Sequence, residues 1–316
     1  MRASVAKVVY LGADAGAAAA RETLAGHARL EHVAAEQGVL AEALGAADGL
    51  LDASMRVRVT DAMVAGAPRL RIVSCATTGS DHIERGELTR RGIPVRTLRE
   101  DPDLLHDLTP AAELSWALVL ACARRLGAAR DHVLAGHWVR EEFPGLMLRG
   151  RQLGLVGCGR IGGWMARYGA AFGMRVVGHD PFVAPWPEDV SRVSLEELVE
   201  TSDVVSVHVP LSADTRGLIS KEIFDRMKPG AIFVNTSRGA VADEKALLGA
   251  LESGRLAAAG LDVLEGEPEI AAHPLVAYAR SHTELVITPH CGGFSPDAVR
   301  LVCARAAEKI RDALEE

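Results

Sequence analysis

No stretch of the chain comes near the roughly 20 consecutive apolar residues that a membrane-crossing helix requires. Apolar residues make up 48% of the 316 positions, but charge or glycine interrupts them every few places, so a membrane span is excluded. There is no C-x-x-C pair either. The five cysteines, Cys75, Cys122, Cys158, Cys291 and Cys303, are odd in number and widely scattered, which speaks for ordinary reduced thiols and against a zinc site or redox motif; no metal is expected. A basic stripe is also missing. Lysine and arginine are dispersed among more numerous acids, and the formal net charge is -7, which leaves nucleic acid without the cationic track it needs. The N-terminal MRASVAKVVYL runs from a basic start directly into a strand-like apolar run, without the h-region and cleavage site of a signal peptide. These absences point to the cytoplasm.

What is present has the rhythm of an α/β protein, and at this length two packed domains are the natural expectation. In the first hundred residues KVVYL (7–11), GLLD (49–52), RIVS (71–74) and PVRT (94–97) read as strands separated by helical stretches, which predicts a parallel sheet wrapped by helices. A long helix follows: Thr109 reads as its N-cap, Pro110 suits its first turn, and Glu113 completes the start signal before the apolar run Leu114 to Leu126. From Arg151 onward six strands are predicted, QLGLVG, RVVGH, DVVSVHV, AIFVNT, AAAGLD and LVITP, with helices between most of them, the count of a doubly wound nucleotide-binding sheet. Pro296 to Leu314 has helical spacing and is expected to pack back on the first domain. The predicted domains are a smaller, discontinuous one of residues 1–105 and 290–316, and a doubly wound one of residues 106–289.

The first strand of the second domain runs into G-x-G-x-x-G, formed by Gly157, Gly159 and Gly162, and a helix begins there. Gly157 permits the tight turn, Gly159 lets the backbone approach a pyrophosphate, and Gly162 allows helix to pack on strand, with helix N-terminal amides aimed at the anion. In a chain with 31 glycines that spacing alone is weak. Here the next strand, RVVGH, ends at Asp180, where a carboxylate accepts hydrogen bonds from a ribose and repels the 2′-phosphate of NADP. NAD is therefore the expected cofactor, with NADP less favoured; Arg175 and Arg192 lie close enough in sequence to soften the preference.

Three later segments carry chemistry: VNTSRGAVADEKAL with Arg238, GLDVLEGEP with Asp262 and Glu267, and VITPHCGGFS with His290. Each follows a predicted strand, and ligands of doubly wound sheets gather at the carboxyl ends of strands. Interconverting a 2-hydroxy and a 2-oxo acid needs a cation for the carboxylate, a group that takes or returns the hydroxyl proton, and a hydride acceptor fixed against C2. Arg238 can offer a planar fork to the carboxylate and the C2 oxygen. His290 can move the proton. Glu267, bonded to the other ring nitrogen, would fix the tautomer and favour the imidazolium. Singly each residue reads as a solvated arginine, a turn acid or a loop histidine; jointly, in one nucleotide-binding domain, they read as a site. Of the other histidines only His208, at a strand end facing the cofactor crevice, has such a context.

From about Cys75 to His290 the chain resembles the D-isomer-specific 2-hydroxyacid dehydrogenases, the family of phosphoglycerate, glycerate and D-lactate dehydrogenases. The resemblance implies a Rossmann-type NAD domain and a flavodoxin-like substrate domain. It also implies an NAD-dependent transfer of a hydride between nicotinamide and C2 of a small 2-hydroxy or 2-oxo acid. The family's Arg, Glu and His fall on Arg238, Glu267 and His290, and its nucleotide loop on Gly157, Cys158, Gly159, Arg160, Ile161 and Gly162, with Asp180 as the ribose acid. By the same carry-over Asp262 holds the nicotinamide carboxamide, His208 and Pro210 line the adenine side, Thr236 belongs to the cofactor side, and Gly292 closes the site. TTGSDHIE (77–84) resembles the substrate-side loop, in which backbone amides around Thr78, Gly79 and Ser80 would receive the substrate carboxylate.

Two departures leave the acid open: REDPDLLHDLTPAAE (99–113) is longer than its counterpart in phosphoglycerate dehydrogenase, and Cys291 stands where an aliphatic residue is usual. Trp116, Trp138, Arg99 and His106 are candidates for specificity, although the two tryptophans read better as packing residues. A homodimer is implied, with the segment around Trp138 to Leu148 as interface. Two alternatives remain. One is oxidation of a small inorganic anion such as phosphite, formate being disfavoured because its dehydrogenases carry Gln in place of Glu267. The other is an NAD-sensing, corepressor-like scaffold, for which no added interaction segment is visible.

Overall fold

The computed structural model describes residues 5–315; the ends of the expected first domain, residues 1–4 and 316, lie outside the described residues. The chain separates into two compact units, one of Met1–Leu108 with Phe294–Glu316 and one of Thr109–Gly293.

The first unit is built on strands β1 (Ala6–Leu11), β2 (Ala28–His32), β3 (Gly49–Asp52), β4 (Ile72–Cys75) and β5 (Val95–Arg96), all parallel and ordered β2-β1-β3-β4-β5. This is the flavodoxin-like order. Four of these strands are the expected ones. The fifth, β2, escapes the sequence pattern because ARLEH is an edge strand that pairs only with β1 and buries only Leu30. β3 and β4 are buried at every position, as strands of a sheet covered on both faces must be. One cover is made of small side chains: Ala17 and Ala20 of the helix Asp14–Thr23 pack with Cys303, Ala306, Ala307 and Ile310 of the helix Pro296–Glu315. The C-terminal helix thus returns to this unit.

The second unit carries seven parallel strands: β6 (Gln152–Val156), β7 (Arg175–His179), β8 (Ser191–Arg192), β9 (Val204–Val207), β10 (Ala231–Asn235), β11 (Leu256–Leu261) and β12 (Leu285–Ile287). Their order, β12-β11-β10-β9-β6-β7-β8, adds a two-residue edge strand, β8, to the six predicted. The chain winds outward from β6 in one direction to β8 and in the other from β9 to β12. Such a reversal leaves a crevice at the carboxyl ends of the central strands. Because every strand is parallel, the loops after β6, β9, β10, β11 and β12 all emerge on that edge.

The helix Pro110–Ala123 packs on β10 and β11 through Leu118 and Val119. It starts where expected, with Thr109 as the N-cap residue and Pro110 in the first turn, but its far end and the bonding of Thr109 differ from expectation. Thr109 makes no capping bond to the backbone; its hydroxyl donates to Glu113 Oε1 at 2.5 Å instead. The apolar run to Leu126 is broken after Ala123, where Arg125 turns to φ 51° and a second helix, Leu126–Leu134, begins. No glycine or proline marks that break. Trp116 packs against Tyr168 and Phe172 as expected of a core residue, whereas Trp138 is 87% exposed. Among the described residues no helix is long and apolar enough to cross a membrane.

Candidate active site

The glycine loop is dictated by space. At Gly157 the backbone takes φ 95°, and a Cβ would come within 2.9 Å of the His208 carbonyl carbon on the neighbouring loop. A Cβ on Gly162 would overlap the Gly157 carbonyl oxygen, so the helix Arg160–Ala171 can start where it does only with glycine there. Over Gly159 and Gly163, by contrast, there is open space. Gly159 is the N-cap residue and offers no side-chain cap, which leaves the first amides of the helix to an anion. Asp180 organises the loop. Its Oδ2 accepts from Cys158 N at 3.0 Å, while Oδ1 accepts from Phe182 N and Val183 N at 2.8 and 3.0 Å. Arg192, lying over the Trp186 ring at 4.8 Å, donates to the Asp180 carbonyl. Burial pushes the Cys158 thiol up to about 12 and lowers the Arg160 guanidinium, so Cys158 stays protonated as a packing residue.

The loop after β10 is shaped by Asn235, which is buried. Its Oδ1 accepts from Ser237 N and Oγ, both at 3.0 Å, and its Nδ2 donates to the Arg238 carbonyl at 2.9 Å. This Asx-type turn fixes the backbone from which the Arg238 side chain projects. Next in sequence, Gly239 has room for nothing larger: a Cβ there would overlap Glu265 N and the Leu264 carbonyl carbon. The Arg238 loop therefore lies backbone to backbone against the turn that leads to Glu267.

Glu267 closes that turn, with Gly266 at φ 83°, and its Oε1 lies 2.5 Å from His290 Nδ1. The carboxylate fixes the proton on Nδ1 and leaves Nε2 as the nitrogen that can exchange one. His290 itself sits at φ 52°, an uncommon region for a side chain other than Asn, Asp or His. What holds it there is Asp262, 1% exposed. Asp262 Oδ1 accepts from Thr288 Oγ1 at 2.5 Å and Cys291 N at 2.9 Å, and Oδ2 accepts from Gly292 N at 2.7 Å. Residues on both sides of His290 are thus tied to one buried carboxylate.

Thr236 is engaged with the helix Pro110–Ala123: Ser115 gives its proton to the Ala111 carbonyl, so Thr236 donates to Ser115 at 2.6 Å and keeps only acceptor capacity. His208 follows β9, with Nε2 2.8 Å from Ser206 Oγ and a buried Nδ1 that has no partner. Desolvation takes its pKa down to about 3, so the ring is neutral at physiological pH. The Pro210 carbonyl accepts from Thr215 Oγ1 at 2.6 Å, and Ile161 packs against the hydrophobic core beside the helix. Thr78, Gly79 and Ser80 lie in the first unit. There Arg99 Nε donates to the Thr78 carbonyl, Thr77 Oγ1 to the Gly79 carbonyl and Arg85 to Ser80 Oγ. Sequence reasoning missed Asn235, Gly239 and Thr288, whose work is to shape loops.

A glycine loop opening a helix, in a sheet of this winding, defines a dinucleotide-binding α/β protein. The comparisons sharpen the class. The family model described as "D-isomer specific 2-hydroxyacid dehydrogenase, NAD binding domain" matches residues 116–292. A glyoxylate reductase of Aeropyrum pernix is 39% identical over 263 residues, 80% of this chain and 76% of that protein. A D-3-phosphoglycerate dehydrogenase of Mycobacterium bovis is 38% identical over 278 residues, 87% of this chain; the match spans about half, 51%, of that longer protein. A solved D-lactate dehydrogenase of Aquifex aeolicus, complexed with NAD and lactic acid, aligns over 98% of this chain and 95% of its own with a TM-score of 0.82 at 26% identity. The chain belongs to the D-isomer specific 2-hydroxyacid dehydrogenase family, and its second unit is an NAD-binding domain.

Proposed function

We propose that the protein is an NAD-dependent oxidoreductase acting between C2 of a small D-2-hydroxy acid and the corresponding 2-oxo acid. The observation that carries this reading is the 2.5 Å bond between Glu267 and His290, on the same sheet edge as the glycine loop. The residues fit a dinucleotide: there is open space over Gly159 at a helix N-terminus, and His208 Nδ1 is buried with no protein partner. Gly157, Gly159, Arg160, Ile161 and Gly162 would hold the pyrophosphate, Asp180 the ribose, His208 and Pro210 the adenine side, and Thr236, Asp262 and Gly292 the nicotinamide side. When bound, the nicotinamide supplies the hydride donor or acceptor.

The chain's own groups do the rest. Arg238 grips the substrate carboxylate and C2 oxygen. During reduction His290 gives the Nε2 proton to the C2 oxygen, and during oxidation it takes that proton back. Glu267 keeps the Nδ1 proton in place and offsets the charge of the imidazolium. Glyoxylate reductase and D-lactate dehydrogenase among the relatives support a short acid. Free cysteines, four of them buried, suit a reducing compartment, the cytoplasm.

The test is NADH oxidation followed by absorbance against glyoxylate, pyruvate, hydroxypyruvate, phosphohydroxypyruvate, 2-oxoglutarate and bulkier acids. Turnover of at least one is expected, with NADPH poorer than NADH because the Asp180 carboxylate opposes a 2′-phosphate. NADH binding without reduction of any acid would defeat the reading.

The unit also exposes Leu126 at 54%, Leu134 at 68%, Trp138 at 87% and Met147 at 73%. Apolar groups of this size gathered in one stretch favour a second protomer as cover, and we propose that this segment forms a homodimer. Sedimentation is expected to give a dimer for the native chain and a monomer for Trp138→Glu; a native monomer at micromolar concentration would rule the dimer out.

A further inference from the structure

Behind the Glu267–His290 pair stands a second carboxylate–imidazole pair that the proton transfer does not use. Glu244 opens the helix Glu244–Glu252, and His273 is the N-cap residue of the helix Pro274–Ala279. Their side chains are 13% and 12% exposed, and His273 Nε2 lies 2.9 Å from Glu244 Oε2. The tautomer is fixed by the helix cap. His273 Nδ1 accepts from Leu275 N at 3.3 Å, so the ring proton sits on Nε2 and points at Glu244. The other oxygen, Glu244 Oε1, accepts from Glu265 N at 2.8 Å.

That Glu265 amide is where two loops meet. It is the group that a Cβ on Gly239 would overlap, so the Arg238 loop rests against it, and it lies two residues before Glu267 in the glycine-containing turn. We propose that Glu244 and His273 form a positioning pair that fixes the Glu265 peptide and, through it, the Glu267–His290 bond and the Arg238 loop. The inference rests on the function proposed above. Neither residue touches the reacting atoms. Their effect is geometric, and misplacement by about 1 Å can cost about a hundredfold in rate.

Two substitutions of His273 separate positioning from helix capping. His273→Asn keeps a good cap for Leu275 N but is too short to reach Glu244, whereas His273→Gln reaches Glu244 and caps poorly. The expected result is a drop in kcat of about tenfold or more for His273→Asn, with Tm and NADH affinity near native. For His273→Gln, kcat is expected near native despite a lower Tm. Glu244→Gln should lower kcat as His273→Asn does, with some loss of Tm as well, because an amide nitrogen must then face either the Glu265 or the His273 N–H. The downfield proton signal of His290 Nδ1–H, observable without substrate, should weaken in His273→Asn and Glu244→Gln and persist in His273→Gln. Loss of kcat that follows Tm across the variants, or an unchanged His290 signal in His273→Asn, would overturn the proposal. If the native chain reduced no 2-oxo acid, the functional reading would fail and the proton signal alone would decide this one.

Discussion

Replacing His290 with alanine is expected to lower kcat for 2-oxo-acid reduction by at least a thousandfold while leaving the dissociation constant for NADH within about twofold of native. The expectation follows from where the ring is held. Nδ1 is committed to Glu267 at 2.5 Å, so Nε2 is the single ring nitrogen able to meet a substrate oxygen, and a positioned general acid contributes about 10²–10⁴-fold. Removing the ring also leaves the Glu267 carboxylate without its partner in a partly buried site, which adds to the loss. Glu267→Gln is the informative companion. The amide oxygen still accepts from Nδ1–H, so the ring stays oriented, but the charge that offsets an imidazolium is gone; a smaller loss, about 10–100-fold, is expected. Steady-state rates at saturating NADH, with a fluorescence titration of NADH, measure both. Substantial turnover by His290→Ala would remove the residue from proton transfer.

Why these residues could be found from sequence, and their supports could not, has a physical basis. The glycine loop was legible because it combines three constraints at fixed spacing: a positive φ at Gly157, a backbone contact at Gly162 and open space at Gly159. The pairing of Glu267 with His290 was legible because parallel winding brings the loops after neighbouring strands to one edge of the sheet. Asn235, Gly239, Glu244 and His273 act through backbone amides and carbonyls, and nothing in a side chain's identity announces which peptide it will hold. The same reason hides what the Thr109 hydroxyl does: the helix starts at Pro110 with Thr109 as its N-cap residue, as read, but a hydroxyl suited to capping donates to Glu113. β2 was missed because an edge strand buries too little to show a pattern, and the break at Arg125 because an ordinary residue adopts the left-handed turn there. Trp138 was read as packing from its type, but exposure is decided by neighbours, and here it has few.

Asp262 offers the sharpest separation between shaping the site and touching a ligand. Its carboxylate is acceptor-only and receives two backbone amides, Cys291 N and Gly292 N, on different oxygens, plus the Thr288 hydroxyl. Asp262→Asn cannot satisfy both amides. With the amide oxygen toward Cys291, the NH₂ faces Gly292 N–H; turned over, it faces Cys291 N–H, and only Thr288 can switch from donor to acceptor. One buried N–H is stranded in either orientation, at a cost of about 1–3 kcal/mol. The loop that holds His290 at φ 52° then loses an anchor beside that residue. Asp262→Asn is therefore expected to lower Tm and to reduce kcat about a hundredfold, with a smaller change in NADH affinity. Thermal unfolding, steady-state rates and NADH titration on one preparation distinguish the cases. A weakened NADH affinity with unchanged Tm would mean that Asp262 acts mainly by holding the nicotinamide, and the loop-anchoring account would be wrong.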